Sequence, residues 1–190
     1  MESFALTFKK ELLHIIKHCT AQTRSQLTPV DFTACDLNLA QYHSFLQANQ
    51  LRVENIADIY NLSPLQEGML FHKLMDTDAP AYFNQVELTI ATAIDIPYFK
   101  KCWEQILQAH PVLRTSFHTE GLPRPLQVVH KQTSLHFVST DLRTHAVEEQ
   151  EQIIQDYILS DRAKGFDLSK PSLLRLALFQ TDAALSLIHI

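Results

Sequence analysis

Between residues 4 and 19, Leu12, Leu13, Ile15 and Ile16 form one apolar stripe, with Lys9, Lys10, Glu11 and Lys17 on the other side. That spacing predicts a helix from Phe4 to Cys19. Ala21 to Ser25 is polar and reads as a loop, and a short helical stretch is expected over Leu39–Leu46. A strongly marked helix starts at Ser63. Ser63 is its N-cap, Pro64 occupies the first helical position, and Gln66 completes a capping box. Glu67 places negative charge in the first turn, where the helix dipole favours it. Leu65, Met69, Leu70, Phe71 and Leu74 cover most of the circumference, which predicts a largely buried helix. Gly68 in its interior costs about 1 kcal/mol against alanine. A close backbone approach at that turn is the expected reason.

Further along, Val86, Leu88 and Ile90 alternate with Glu87 and Thr89, the pattern of a half-buried strand. Asp95 caps the next helix, whose core face is Phe99, Trp103, Ile106 and Leu107. Pro111 forces His110 toward extended backbone and ends that helix. Strands are expected at Leu113–Phe117, from Pro125 to His130, at Leu135–Val138 and at Leu173–Leu178. A helix fills the interval from Ala146 to Gly165. Its acidic start (Glu148, Glu149, Glu151) and basic end (Arg162, Lys164) suit the macrodipole, and Gly165 suits its C-terminal cap. Alternating helix and strand signals place the chain in the α/β class.

Composition narrows the function classes. A net charge of -5 and pI near 6.0 lack the basic surface of a nucleic-acid binder. No apolar run reaches membrane-spanning length, so no membrane partner is expected. The N-terminus, Met1-Glu2-Ser3-Phe4, has no basic region followed by an apolar core, and the cytoplasm is the expected location. Cys19, Cys35 and Cys102 match neither a disulfide framework nor zinc spacing. His14 and His18 stand four apart on one helix without a third ligand nearby, so no metal is expected. With Gly 3 in the chain, a dinucleotide fingerprint is excluded.

Four ordered blocks carry a more specific signal. Ser63-Pro-Leu-Gln-Glu-Gly-Met-Leu-Phe-His72, entered through Ile56–Leu62, resembles the opening motif of condensation domains of non-ribosomal peptide synthetases. His110-Pro-Val-Leu-Arg-Thr-Ser-Phe117 resembles their second motif, usually Arg-His-x-x-Leu-Arg-Thr-x-Phe, except that Ala109 replaces the first arginine. The segments Pro125–His130 and Leu135–Val138 resemble the family at the corresponding places. So does Gly165-Phe-Asp-Leu168 with Pro171–Leu178.

The resemblance implies a chloramphenicol-acetyltransferase-like α/β fold, of which this chain carries the N-terminal lobe with a mixed sheet and flanking helices, preceded by a helical linker. It implies amide-bond formation between aminoacyl or peptidyl thioesters held on carrier proteins. The substrates arrive on phosphopantetheine arms, and no cofactor or metal is bound directly. The implied partners are peptidyl or acyl carrier protein domains and adjacent adenylation and epimerisation domains. Residues 1–50 resemble the tail of an upstream condensation or epimerisation domain and its linker, with 51–184 as the lobe itself.

The family's catalytic motif, His-His-x-x-x-Asp-Gly, is not among these residues, so no catalytic residue is assigned and the fragment alone is expected to be inactive. Arg114 and His110 are expected to support the active site. By the resemblance, Arg114 pairs with the Asp of that motif; the competing reading is a half-buried arginine reaching water. His189 follows an apolar strand but lacks a neighbouring His and a following Asp-Gly. The string Leu185-Ser-Leu-Ile-His-Ile190 also reads as a translated transposase end sequence, so 185–190 is expected to be sequencing-adapter read-through. An epimerisation or ester-forming domain of the same fold, and a non-catalytic carrier-docking module, are the alternatives.

Overall fold

The computed structural model describes residues 2–21, 27–33, 36–75, 82–183 and 185–189. Its helices are α1 (Glu2–Ala21), α2 (Leu39–Ala48), α3 (Pro64–Met75), α4 (Ile96–Ala109) and α5 (Val147–Lys164). Its strands are β1 (Ile56–Asn61), β2 (Glu87–Ile90), β3 (Thr115–His118), β4 (Leu126–His130), β5 (His136–Asp141), β6 (Arg175–Asp182) and β7 (Leu185–His189). Two sheets result. The first has the order β1-β4-β3 and is antiparallel throughout; the second has the order β2-β7-β6-β5 and one parallel pair, β5 with β6. Residues 185–189 pair antiparallel with both β2 and β6.

Two apolar clusters hold these sheets. Phe32, Leu37, Tyr42, Phe45 and Leu46 come from the segment around α2 and pack with Ile56, Ile59, Leu126 and Val128 of β1 and β4. In the second sheet Ala177 and Phe179 of β6 meet Leu142 and Ile154, with Ile153, Tyr157 and Ile158 of α5 against them. Side chains alternate along a strand, so Leu176 and Leu178 face the other way. Phe137, register partner of Leu176, meets Phe99 of α4 with ring centroids 6.1 Å apart. Helices therefore lie on both faces of the second sheet.

The caps follow the sequence chemistry. The Ser63 N–H donates to Gln66 Oε1 (2.9 Å) and the Gln66 N–H to Ser63 Oγ (3.3 Å), closing the capping box. Asp95 accepts from the Tyr98 N–H at 2.9 Å, and Gly165 ends α5 at φ +57°. Four expectations need correction. In α3 only Leu70 is buried, while Leu65, Phe71, Leu74 and Met75 are exposed, because its apolar residues surround the axis and neighbours meet only one side. Among the described residues nothing lies within 4 Å of a Cβ built on Gly68, so none of them makes the expected close approach. Residues 111–114 form a 3₁₀ turn, and the strand starts only at Thr115. The β2 side chains are also more exposed than a half-buried strand implies, Leu88 at 46%.

Candidate functional site

Arg114 is the expected site residue that the structure buries, at 8% exposure. Pro111 restarts the chain after α4 as a 3₁₀ turn, which swings Arg114 back beneath the helix end. Its Nε donates to the Leu107 carbonyl (3.0 Å) and Nη2 to that of Gln108 (3.1 Å), two carbonyls of the last turn of α4. Nη1 donates to the carbonyls of His130 and Lys131, the latter at 3.1 Å. The guanidinium thus staples the negative end of the α4 dipole to the end of β4. Its partners among the described residues are backbone carbonyls. His110 is exposed at the C-cap of α4, where its N–H donates to the Ile106 carbonyl at 3.0 Å. The structure does not bring its ring to Arg114.

Beside Arg114 lies a buried polar chain that no sequence motif singles out. Ser116 is fully buried, His118 is 3% exposed and His130 6%. Ser116 pairs with Val128 across the β3–β4 ribbon and His118 with Leu126, so register puts Ser116, His118 and His130 on one face. Ser116 Oγ lies 2.9 Å from His118 Nε2 and 2.7 Å from His130 Nε2. His118 Nδ1 lies 2.9 Å from Asn49 Oδ1, and Asn49 Nδ2 donates to the Phe45 carbonyl at 3.0 Å. The last bond orients the amide, so Oδ1 must accept from His118 Nδ1–H. His118 Nε2 is then the acceptor for the Ser116 hydroxyl, whose oxygen accepts from His130 Nε2–H.

Every member of that chain is satisfied with both imidazoles neutral. Burial, with His130 adding to it and Asp167 opposing, lowers the His118 pKa to about 4. Burial and then the Arg114 charge lower that of His130. A serine between neutral imidazoles has the groups for nucleophilic chemistry. Complete burial of Ser116 closes it to a substrate, so its role here is structural.

A second arginine staple stands at α5. Arg175 Nε donates to Asp161 Oδ1 at 2.6 Å, Nη1 to the Gly165 carbonyl at 2.6 Å and Nη2 to the Asp161 carbonyl at 3.0 Å. Its guanidinium carbon sits 4.0 Å from the Phe166 ring centroid. A cavity of about 260 Å³ opens beside this pair, lined in part by His136, Tyr157 and Lys164. Among the described residues no cluster of His, Cys, Asp and Glu could hold a metal ion. Nor is any described helix long and apolar enough to cross a membrane.

A family model described as the condensation domain matches residues 56–189. The chain belongs to the condensation-domain family. A mycosubtilin synthase from Bacillus subtilis is 35% identical over 182 residues, covering 96% of this chain and 7% of that protein. Bacitracin synthase 3 of Bacillus licheniformis is 34% identical over 173 residues, 91% of this chain and 3% of the other. The chain therefore spans a small fraction of the length of the curated relatives it matches. The starter condensation domain of rhizomide synthetase superposes with a TM-score of 0.62 at 19% identity, over 70% of this chain and 33% of that one. The first condensation domain of the calcium-dependent antibiotic synthetase gives 0.63 at 20% identity, over 71% and 34%. These likenesses establish the fold expected for a condensation domain. Arg114 and Ser116 sit within residues 110–117, whereas His118 lies just past that stretch and His130 ends the segment Pro125–His130. Their pattern is detectable only by laying β3 against β4.

Proposed function

We propose that this chain is the N-terminal lobe of a non-ribosomal peptide synthetase condensation domain, occupying residues 51–184, with 1–50 derived from the end of an upstream domain and its linker. The observation that carries the reading is the family match over 56–189, together with relatives that are peptide antibiotic synthases. The reaction joins two thioesters held on phosphopantetheine arms of carrier proteins. The acceptor amine attacks the donor carbonyl, the amide bond forms, the carbon–sulfur bond breaks, and the donor thiol leaves with the carrier. Positioning of two tethered reactants supplies much of the rate. The domain itself needs no metal or resident cofactor, its neighbours are carrier, adenylation and epimerisation domains, and it works in the cytoplasm.

Within this reading Arg114 supports the active site by fixing the α4 end and the β4 end to each other. His110, exposed at the same helix end, is the second supporting residue. The apolar face of α1, with Leu12, Ile15 and Ile16 each about half or more accessible, lies in the part read as the upstream domain's tail. Residues 185–190 are read as adapter-derived.

Sequencing the locus beyond the Ala184 codon tests both the ending and the enzyme. A His-His-x-x-x-Asp-Gly motif following in frame supports the condensation enzyme; a stop codon there favours a carrier-docking module. The complete gene product, mixed with loaded donor and acceptor carriers, is expected to give an amide-linked product by mass spectrometry. An epimerised donor without condensation would instead identify the epimerisation alternative.

A further inference from the structure

We propose that the linker, through its described residues 27–33 and 36–55, docks as a fixed part of the folded lobe, latched to it by the relay from Asn49 through His118 and Ser116 to His130, so that the folding unit starts well ahead of Ile56, where the family match begins. Three independent sets of contacts carry the inference.

The first is apolar. Phe32, Leu37, Tyr42, Phe45 and Leu46 share one cluster with β1 and β4, and Tyr42 has no solvent exposure. Without this segment, Ile56, Ile59, Leu126 and Val128 would lose the side chains that cover them, and an uncovered face of that kind is an association liability.

The second is polar. Asp58 of β1 accepts from the Thr33 N–H at 2.9 Å and from the Thr33 hydroxyl through its other oxygen. One carboxylate thereby fixes both the backbone and the side chain of the residue that follows Phe32.

The third is the relay. Asn49, just past the end of α2, has its amide oriented by Phe45, and the Phe45 ring meets His118 edge-on with centroids 5.6 Å apart. The donors run in one direction: His130 Nε2–H to Ser116, Ser116 to His118 Nε2, His118 Nδ1–H to Asn49, Asn49 to the Phe45 carbonyl. Only one tautomer of each histidine completes it. A buried polar network of this kind specifies one arrangement, because a member deprived of its partner keeps its desolvation cost. The lobe's own β3 and β4 thus contain a socket whose occupant is Asn49. Leu27 itself packs against the same cluster, so the described linker is held at a fixed place on the first sheet.

The test uses the full 190-residue chain. Hydrogen–deuterium exchange should find the Tyr42–Ala48 amides protected in the same class as β4. Asn49→Ala should speed exchange in α2 by about tenfold, the effect of one buried hydrogen-bond partner lost, while β4 stays protected. Ser116→Ala should act in the same direction. Nitrogen NMR of the wild type should find His118 as the Nδ1–H tautomer and His130 as Nε2–H. Unprotected α2 amides in the wild type would overturn the proposal, as would Nε2–H on His118 or an Asn49→Ala variant with unchanged α2 exchange. If Asn49→Ala unfolds the whole chain, the wild-type tautomers and α2 protection decide alone. These readouts do not involve peptide-bond formation, so failure of the enzymatic reading leaves them standing.

Discussion

Arg114 donates to the backbone carbonyl of His130 while its charge disfavours a second positive charge on the His130 ring. The two residues lie opposite each other at the mouth of the β3–β4 ribbon. Arg114 therefore anchors the His130 backbone and adds to the burial that already disfavours charge on its ring. The guanidinium works as a four-pronged donor to carbonyls from two elements, a geometry that needs its planar fork.

Arg114→Ala should destabilise the chain by about 3 kcal/mol, because buried carbonyls at two chain ends lose a charged donor. Arg114→Lys should recover less than half, since an ammonium on a flexible stem cannot reach both ends together. Urea denaturation followed by far-ultraviolet circular dichroism reads both. An alanine variant within experimental error of wild type would show that the staple contributes nothing net.

The buried histidines make stability depend on pH in a definite direction. The folded His118 pKa is lowered from 6.5 to about 4, so between these values the unfolded chain binds more protons than the folded one. The contribution is complete above pH 6.5 and is lost as pH falls toward 4. Groups that bear on the ring from packed elements are His130, with Arg114 beyond it, and Asp167, which opposes the shift. His118→Asn should flatten this part of the curve. A wild-type melting temperature that stays level between neutral pH and the folded His118 pKa would contradict the assignment.

Asp161 and Arg175 are 9% and 12% exposed, and the pair is further tied to the Gly165 carbonyl. Removing only the acid, as in Asp161→Ala, leaves a guanidinium partly buried without its counter-charge and should cost roughly 3–5 kcal/mol. Arg175→Met, which keeps bulk against Phe166, should cost less than Asp161→Ala. Thermal unfolding of the two variants side by side checks the order; equal or reversed losses would argue against a charge-driven staple.

Gly68 stands in an exposed helical turn with open space where a Cβ would go. Gly68→Ala should stabilise the chain by roughly 0.5–1 kcal/mol through helix propensity. A lower denaturation midpoint would point to a contact made by some residue outside those described.

Much of the fold was legible because its signals are local. Asp95, Pro111 and Gly165 bound α4 and α5 where cap and proline chemistry put them, within a residue or two. Burial was less legible. The periodicity of α1 and α3 reports a surface that something must cover, and α1 is exposed from Ser3 to Ala21. The main-chain partners of Arg114 were not legible: the carbonyls of Leu107, Gln108, His130 and Lys131 converge on it only once the ends of α4 and β4 are brought together. The Ser116 relay was invisible in one dimension, since it emerges only when the β3–β4 register and the end of α2 are superimposed.

The parallel pairing of β5 with β6 sets an order of assembly. Strands β3 and β4 are joined through residues 119–125 and can zip together soon after that short loop closes, so Ser116, His118 and His130 meet early. Pairing β5 with β6 has to bring together strands separated in sequence by residues 142–174, α5 included, at a larger loop-closure cost. The socket that receives Asn49 is thus made while the second sheet is still open. On a ribosome delivering the chain from its amino end, α2 is already outside when its socket forms, and the slowest step falls on the carboxyl-terminal sheet.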